Sequence, residues 1–448
     1  MPSRAVVRRK SESGALEQQD FALAETDIWQ VSERLGEPDW LRHKRLDAWQ
    51  VCLSTPLPTT AEEPWRRTDL RALSPGQVVP APAAEIDVPA VLLQPLVSDQ
   101  HGALLIVRPG LPVARSGGEG TDSQGVVFVD WATAVREHAD LLHKNLGKTV
   151  QEGEGKFSAL AGALAADGVF LYVPAGVHAS APLHSILWAP GSRRLFTSRL
   201  LIVLEDGASA TFVHESACPT DRGGSSIHAG IVEISVGAGA NLKFVELQNW
   251  GTHMWNFTHE RARVRRDGNL EWIFGAVGSH LTKNFSDLDL QERGAQGRMS
   301  GFYFADGGQH LDHDTQQNHL AEHTTSDLLY KGALLGKSRS VWQGMIYVAP
   351  GAQKTDGYQA NRNLVLSPGA RADSIPGLEI LADDVRCTHG ATVGQLEDEP
   401  LFYLKSRGIP RHEAERLVVD GFFDPIMQRI PFEGVRERFK QMIIDKMG

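Results

Sequence analysis

The sequence predicts a mainly β chain, with a long middle of short stacked strands between helical ends. Three observations carry this. Apolar or alternating runs recur from Gly168 to about Leu396, among them Val169–Val173, Leu200–Leu204, Ile231–Val236 and Leu242–Leu247. These runs are punctuated by glycine turns: Asp206-Gly207-Ala208, Gly239-Ala240-Asn241, Asp267-Gly268-Asn269, Arg293-Gly294-Ala295, Pro350-Gly351-Ala352 and Pro368-Gly369-Ala370. The first four of those glycines lie 32, 29 and 26 residues apart, and the last two 18 apart. Glycine suits such turns because it accepts the positive φ that other residues resist. The imperfect period fits a stacked-strand solenoid or β-helix, whose coils bury their inner faces against one another. A sandwich or jelly roll is the competing architecture.

The elements follow in order. The first residues are basic (Arg4, Arg8, Arg9, Lys10), but no apolar stretch follows, so residues 1–20 read as a disordered tail rather than a signal peptide. Residues 21–155 form a helical and mixed region. Phe21–Ala24 with Ile28-Trp29 has helical spacing, Gly36-Glu37-Pro38 breaks it, and Trp40 to Val51 starts a second helix. Pro56, Pro58 and Pro64 mark an extended connector. Ala103–Val107 and Gly125–Val129 read as strands, and the segment after Asp130 as a helix continuing through His138 to Thr149. Residues 156–396 form the β core. Residues 397–448 are helical: one helix opens at Glu399 and stops at Gly408, and a second covers His412–Val419. In the last, Val435, Phe439, Met442 and Ile443 make an apolar stripe that must cover either this chain's core or a partner.

Apolar residues make up 42% and charged residues 22%, as in globular proteins, and the net charge of -10 argues against a general nucleic-acid binder. Three cysteines far apart (Cys52, Cys218, Cys387) form no disulfide framework, which points to a reducing cytoplasm. No apolar run is long enough to span a bilayer.

The richest stretch is Arg386-Cys387-Thr388-His389-Gly390. On a strand, Cys387 and His389 share a face, and a thiolate beside an imidazole can hold iron or zinc. Two donors do not close a metal site, so either the others come from elsewhere or the pair is a buried Cys beside a hydrogen-bonded His. Lys331-Gly332-Ala333-Leu334-Leu335-Gly336-Lys337-Ser338 is one residue short of a P-loop and has strand-like flanks, so nucleotide binding is not expected. His310, His313, His319 and His323 lie in a polar stretch between β-like runs and read as a ladder of side chains hydrogen-bonding between strands or turns more than a metal centre. Cys218 falls in a polar loop and Cys52 on a helix, neither with a nucleophile's partners nearby in sequence.

Four blocks resemble the SufB/SufD family of iron–sulfur cluster assembly scaffolds: Ser338–Gly344, Gly351–Leu364, Cys387–Gly394 and Leu401–Gly408. Glu63-Pro64-Trp65-Arg66-Arg67-Thr68-Asp69-Leu70 is similar to the SufD branch. Asn361 stands where SufB carries a cluster-related cysteine, and His389-Gly390-Ala391-Thr392 replaces its His-Glu-Ala-Thr. The resemblance implies a right-handed parallel β-helix between helical regions, and a non-catalytic scaffold. It implies pairing with a SufB-like subunit through the β-helix, and docking of a SufC-like ATPase on the C-terminal helices. A homodimer of the chain alone is a further expectation; no nucleic acid or membrane is expected as a partner. A transient iron–sulfur cluster, shared with SufB, would meet His389 and Cys387, and the nucleotide would belong to SufC. Three alternatives stand beside this reading: a SufB-like main scaffold, a carbohydrate-acting β-helix enzyme using Asp287 and Asp289, and a metalloenzyme built on His310–His323.

Overall fold

The computed structural model describes residues 20–94, 102–430 and 432–447; the expected tail, Asp20 apart, lies outside that range. The N-terminal region carries α1 (Glu25–Leu35) and α2 (Asp39–Ser54), then strands β1 (Val79–Pro80), β2 (Leu104–Val107) and β3 (Ala114–Ser116). The short helix α3 (Glu119–Asp122), strand β4 (Val127–Asp130) and helices α4 (Trp131–Glu137), α5 (Ala139–Asn145) and α6 (Lys156–Leu164) complete it. The helix expected to run on to Thr149 instead breaks at His138 (φ -130°, ψ 30°) and restarts as α5. Phe21 precedes α1 rather than lying within it.

The first half of the core is β5 (Asp167–Val173), β6 (Leu183–Trp188), β7 (Arg194–Leu204), β8 (Ser209–Ala217), β9 (Ser226–Val236), β10 (Asn241–Asn249), β11 (Met254–Val264) and β12 (Asn269–Ala276). The second half is β13 (Leu281–Leu290), β14 (Gln296–Ala305), β15 (His310–His319), β16 (Thr325–Leu334), β17 (Arg339–Val348), β18 (Asp356–Val365), β19 (Arg371–Ile380) and β20 (Arg386–Gln395). Helices α7 (Asp398–Ser406), α8 (Arg411–Met427) and α9 (Glu433–Met447) follow.

From β5 onward each strand pairs in parallel with the strand two places along the chain, so odd strands build one sheet and even strands the other. This is a parallel β-solenoid of about eight turns, which decides against a sandwich or jelly roll. The strict register stacks like on like. Phe212, Phe244, Trp272, Met299 and Leu328 form one inward file along the even sheet. Each buried side chain of that size contributes about 1.5–3 kcal/mol, so the five of this file together contribute about 8–15 kcal/mol.

Glycine takes the left-handed turn position at Gly207, Gly239, Gly294 and Gly351 (φ 69°, 64°, 76° and 80°). At the third turn of the series Asp267 holds the positive φ (54°) instead. Gly268 serves there by close approach: a Cβ on it would lie 2.9 Å from the Gly237 carbonyl oxygen.

Both end regions are bolted to the solenoid. Trp65 packs against Phe157, Phe257 and Phe285 on the outer face of the odd sheet. Thr68 bonds Asp312, which forms a fully buried ion pair with Lys283 at 3.0 Å. On the even sheet, Val435, Phe439 and Ile443 of α9 are buried with Phe302, Phe304 and Ile273, so the apolar stripe covers this chain's own core. Arg438 of α9 reaches Glu215 of β8 at 2.7 Å, and Glu215 also meets His184 at 2.7 Å.

Candidate functional site

The two sheets end on β19 and β20, and among the described residues no further strand covers them. An inward side chain on these strands therefore faces an open coil. Ser374, Pro376, Leu378 and Ile380 follow in register from Trp342, Gly344, Ile346 and Val348 of β17. Ile346 and Val348 are buried, whereas Leu378 is 37% and Ile380 38% exposed. On the other sheet, Cys387, His389, Ala391 and Val393 follow Gly357, Gln359, Asn361 and Asn363 of β18. The same-face expectation for Cys387 and His389 thus corresponds to the inner face of the last coil.

The two donors differ in environment. Cys387 is half-buried and packs on the small apolar cluster of Ile346, Val348 and Ala352. Its Sγ lies over the Cα of Gly357, so that a Cβ there would stand 3.2 Å from it and 3.2 Å from His319 Nε2. The missing side chain at 357 is what lets the thiol turn inward. Burial raises the Cys387 thiol pKa above the ordinary cysteine value, with the Gly357 N–H opposing and Asp356 adding to the shift. The thiol therefore stays protonated at neutral pH until a metal displaces the proton. His389 is exposed on the same face.

Asn361 is fully buried one coil in, and every bond it makes is internal. Its Oδ1 accepts from Asn363 Nδ2 at 2.6 Å and from Ser374 Oγ at 2.5 Å, and its Nδ2 faces the Tyr303 hydroxyl at 3.3 Å. The amide closes the wall behind the open coil.

The four histidines of the polar segment part company. His310 is on the outer face, 2.9 Å from Thr68 Oγ1. His313 lies inside among the rings of Phe274, Tyr303 and Tyr330. His319 holds Thr324 and Ser326 hydroxyls at 2.8 Å each. His323 occupies a turn with φ 57°. Among the described residues no group of three or more His, Cys, Asp and Glu side chains comes together as a metal site. Asp287 and Asp289 lie on the outer face of β13 beside Arg261 and Arg263.

Lys331 donates to the Phe422 carbonyl at 2.6 Å and so pins α8; the turn after Leu334 leads into β17, not into a helix. Cys218, expected in a polar loop, does follow β8 in a connection, but it is buried in the solenoid core, where the Gly251 N–H donates to its Sγ at 3.2 Å. Burial pushes its pKa up to about 12 and that of Cys52 up to about 11, so both thiols are inert. The rim of Leu378, Ile380 and Val393 was not singled out from the sequence; its signal is the alternation Ser374, Pro376, Leu378, Ile380.

These features place the chain among parallel β-solenoids with helical regions packed at both ends. Residues 187–422 match the family model of the SUF system FeS cluster assembly, SufBD core domain, and residues 31–184 match the SufBD protein N-terminal region. The chain is 30% identical to the iron-sulfur cluster assembly protein SufD of Bacillus subtilis over 93% of its own length and 96% of that protein's. It is 31% identical to SufB of the same organism, over 70% of this chain and 68% of that one. A SufBD family protein of Staphylococcus epidermidis is 27% identical over 92% of this chain and 90% of its own. The chain belongs to the SufBD family of iron–sulfur cluster assembly proteins. Among the described residues no helix is long and apolar enough to cross a membrane.

Proposed function

We propose that this chain is a SufD-like, non-catalytic scaffold subunit working in the cytoplasm. It pairs with a SufB-like subunit across the open end of the solenoid, and the nascent iron–sulfur cluster is assembled as cargo between them. The observation that carries this reading is the uncovered last coil, with Cys387 and His389 on its inner face and an apolar rim beside them. Two donors leave a cluster's ligand shell half filled, which suits a site that a second chain completes. The SufD-like assignment over a SufB-like one is supported by Asn361, whose amide is spent on internal bonds and leaves no thiol at that position. A SufC-like ATPase would dock on the C-terminal helices. Phe402 and Tyr403 of α7 are 74% and 57% exposed there and have no role in this chain's own core.

The test is His389→Ala in the complex of this chain with SufB-like and SufC-like subunits. The substitution removes an exposed ring with no packing role, so assembly should be intact while cluster yield falls at least about tenfold, about 1.4 kcal/mol of lost ligation. Wild-type yield would remove His389 from the chemistry, and lost assembly would make it structural.

A further inference from the structure

The solenoid interior holds two carboxyl groups that no part of the proposed function uses. Glu246 faces inward on β10, in register between His214 of β8 and Phe274 of β12. Glu260 faces inward on β11, in register between Val232 of β9 and Ser286 of β13. They are 7% and 2% exposed, and among the described residues neither forms an ion pair with Lys or Arg. Asn284 donates to Glu260 and lines the same small interior cavity as Glu246, which brings the two carboxyl groups against each other. Two bare carboxylates at that separation, in a low-dielectric interior, repel too strongly to stay; the contact requires a hydrogen between them.

We propose that Glu246 and Glu260 hold one proton between them and, with an ordered water bound by Gln248, form a proton-storing site inside the solenoid. Three further facts support it. The free Glu260 oxygens are solvated by the protein, Oε1 by Asn284 Nδ2 at 2.7 Å and Oε2 by the Ser286 hydroxyl at 2.9 Å, so a single charge is well held there. Glu246 Oε2 and Gln248 Nε2 have no partner within the chain, although Gln248 is only 3% exposed. Both residues line an interior cavity of about 20 Å³, which is room for one water molecule. A water accepting from Gln248 and donating to Glu246 satisfies both.

The other titratable groups facing this cavity do not compete for the proton. His214 spends its nitrogens on Ser185 and Ser216 at 2.7 and 3.0 Å, and His228 on Ser198 and Asn256 at 2.8 and 2.6 Å. Burial pushes them down to about 3 and about 4, so both stay neutral. Tyr330 is pushed well up by burial and by the same two carboxyls, and keeps its hydroxyl proton. Burial raises Glu260 to about 7, and burial together with the Glu260 charge raises Glu246 well above the ordinary carboxylate value. A proton exchangeable near neutral pH is the result. From Thr258, beside the pair, an inward row of Asn284, His313, Trp342 and Ser374 leads in register to the open coil. That link to the cluster site rests on the function proposed above; the stored proton does not.

Difference infrared spectroscopy of the full chain at pH 7 tests the site. The expected result is a protonated carboxyl C=O band that shifts on deuteration and disappears in Glu246→Gln. The band's persistence in a folded Glu246→Gln protein would overturn the proposal. So would a stoichiometric metal ion in the wild type that this variant loses. Neutron diffraction on the wild type decides independently of whether the variant folds. A deuteron between the carboxyl groups and a D2O on Gln248 supports the site, and two bare carboxylates or a dry cavity refute it.

Discussion

Leu378→Asp strikes the rim of the open coil. Leu378, Ile380 and Val393 are 37%, 38% and 50% exposed. Burying such a side chain completely is worth about 1.5–3 kcal/mol, so covering the part still in water gives about 0.5–1.5 kcal/mol each. A partner strand that covers all three would gain about 2–4 kcal/mol from them. Aspartate at 378 removes one share and adds a charge with no partner in an apolar contact, a further cost of about 2–5 kcal/mol. Pairing with a SufB-like subunit should therefore weaken by about 3–6 kcal/mol, roughly 100-fold to 10,000-fold. The chain's own stability should fall by only about 1–2 kcal/mol, the share of Leu378 that is already buried. Titration calorimetry against the isolated partner, with a melting curve of each variant, measures both quantities. Unchanged affinity in a folded Leu378→Asp protein would refute the placement of the partner on this end.

Two other outcomes follow from the packing. Phe439→Ala should cost about 3–5 kcal/mol in urea unfolding, because the ring is buried edge-to-face on Phe302 with centroids 4.1 Å apart. An effect below about 1 kcal/mol would mean that α9 is not seated on the even sheet. Stability should also fall in mild acid. Burial pushes His313 from the ordinary 6.5 down to about 3, so the unfolded chain takes up a proton that the folded one refuses. The contribution of the neutral ring is complete above about pH 6.5 and declines as pH drops toward 3, by about 1.4 kcal/mol per pH unit at most. A His313→Phe variant should lose less stability than wild type between pH 6.5 and 4; parallel losses would contradict the burial of a neutral imidazole.

Much of the solenoid was legible because strand alternation and turn chemistry are local. Val169–Val173 and Leu242–Leu247 announce strands by themselves, and Gly207, Gly239, Gly294 and Gly351 hold the left-handed turns that their neighbours suggested. Polar strands were harder. His310–His319 is a core strand whose inward His313, Thr315 and Gln317 are each about 1% exposed, and nothing in an apolar count finds it. Only the assembled coils supply their surroundings: Thr315 reaches the Gln343 carbonyl of β17, Gln317 reaches Ser326 and Tyr358 on the opposite sheet, and His313 lies among the rings of Phe274, Tyr303 and Tyr330. Cys387 and His389 were legible as a pair because two-residue spacing fixes their shared face. The rim beside them was not, because a terminal coil has the same alternation as an inner one; what distinguishes it is that no strand follows among the described residues. The role of Trp65 and Thr68 also depends on residues more than two hundred positions away, Phe285 and Asp312.

The most direct test uses the cysteines themselves. Cys52 and Cys218 are buried, and only Cys387 is within reach of solvent. Maleimide labelling of the free chain should modify one thiol, at Cys387, and addition of the SufB-like subunit should slow that reaction at least tenfold. Equal labelling rates in the free chain and in a verified complex would show that the partner does not close over the last coil.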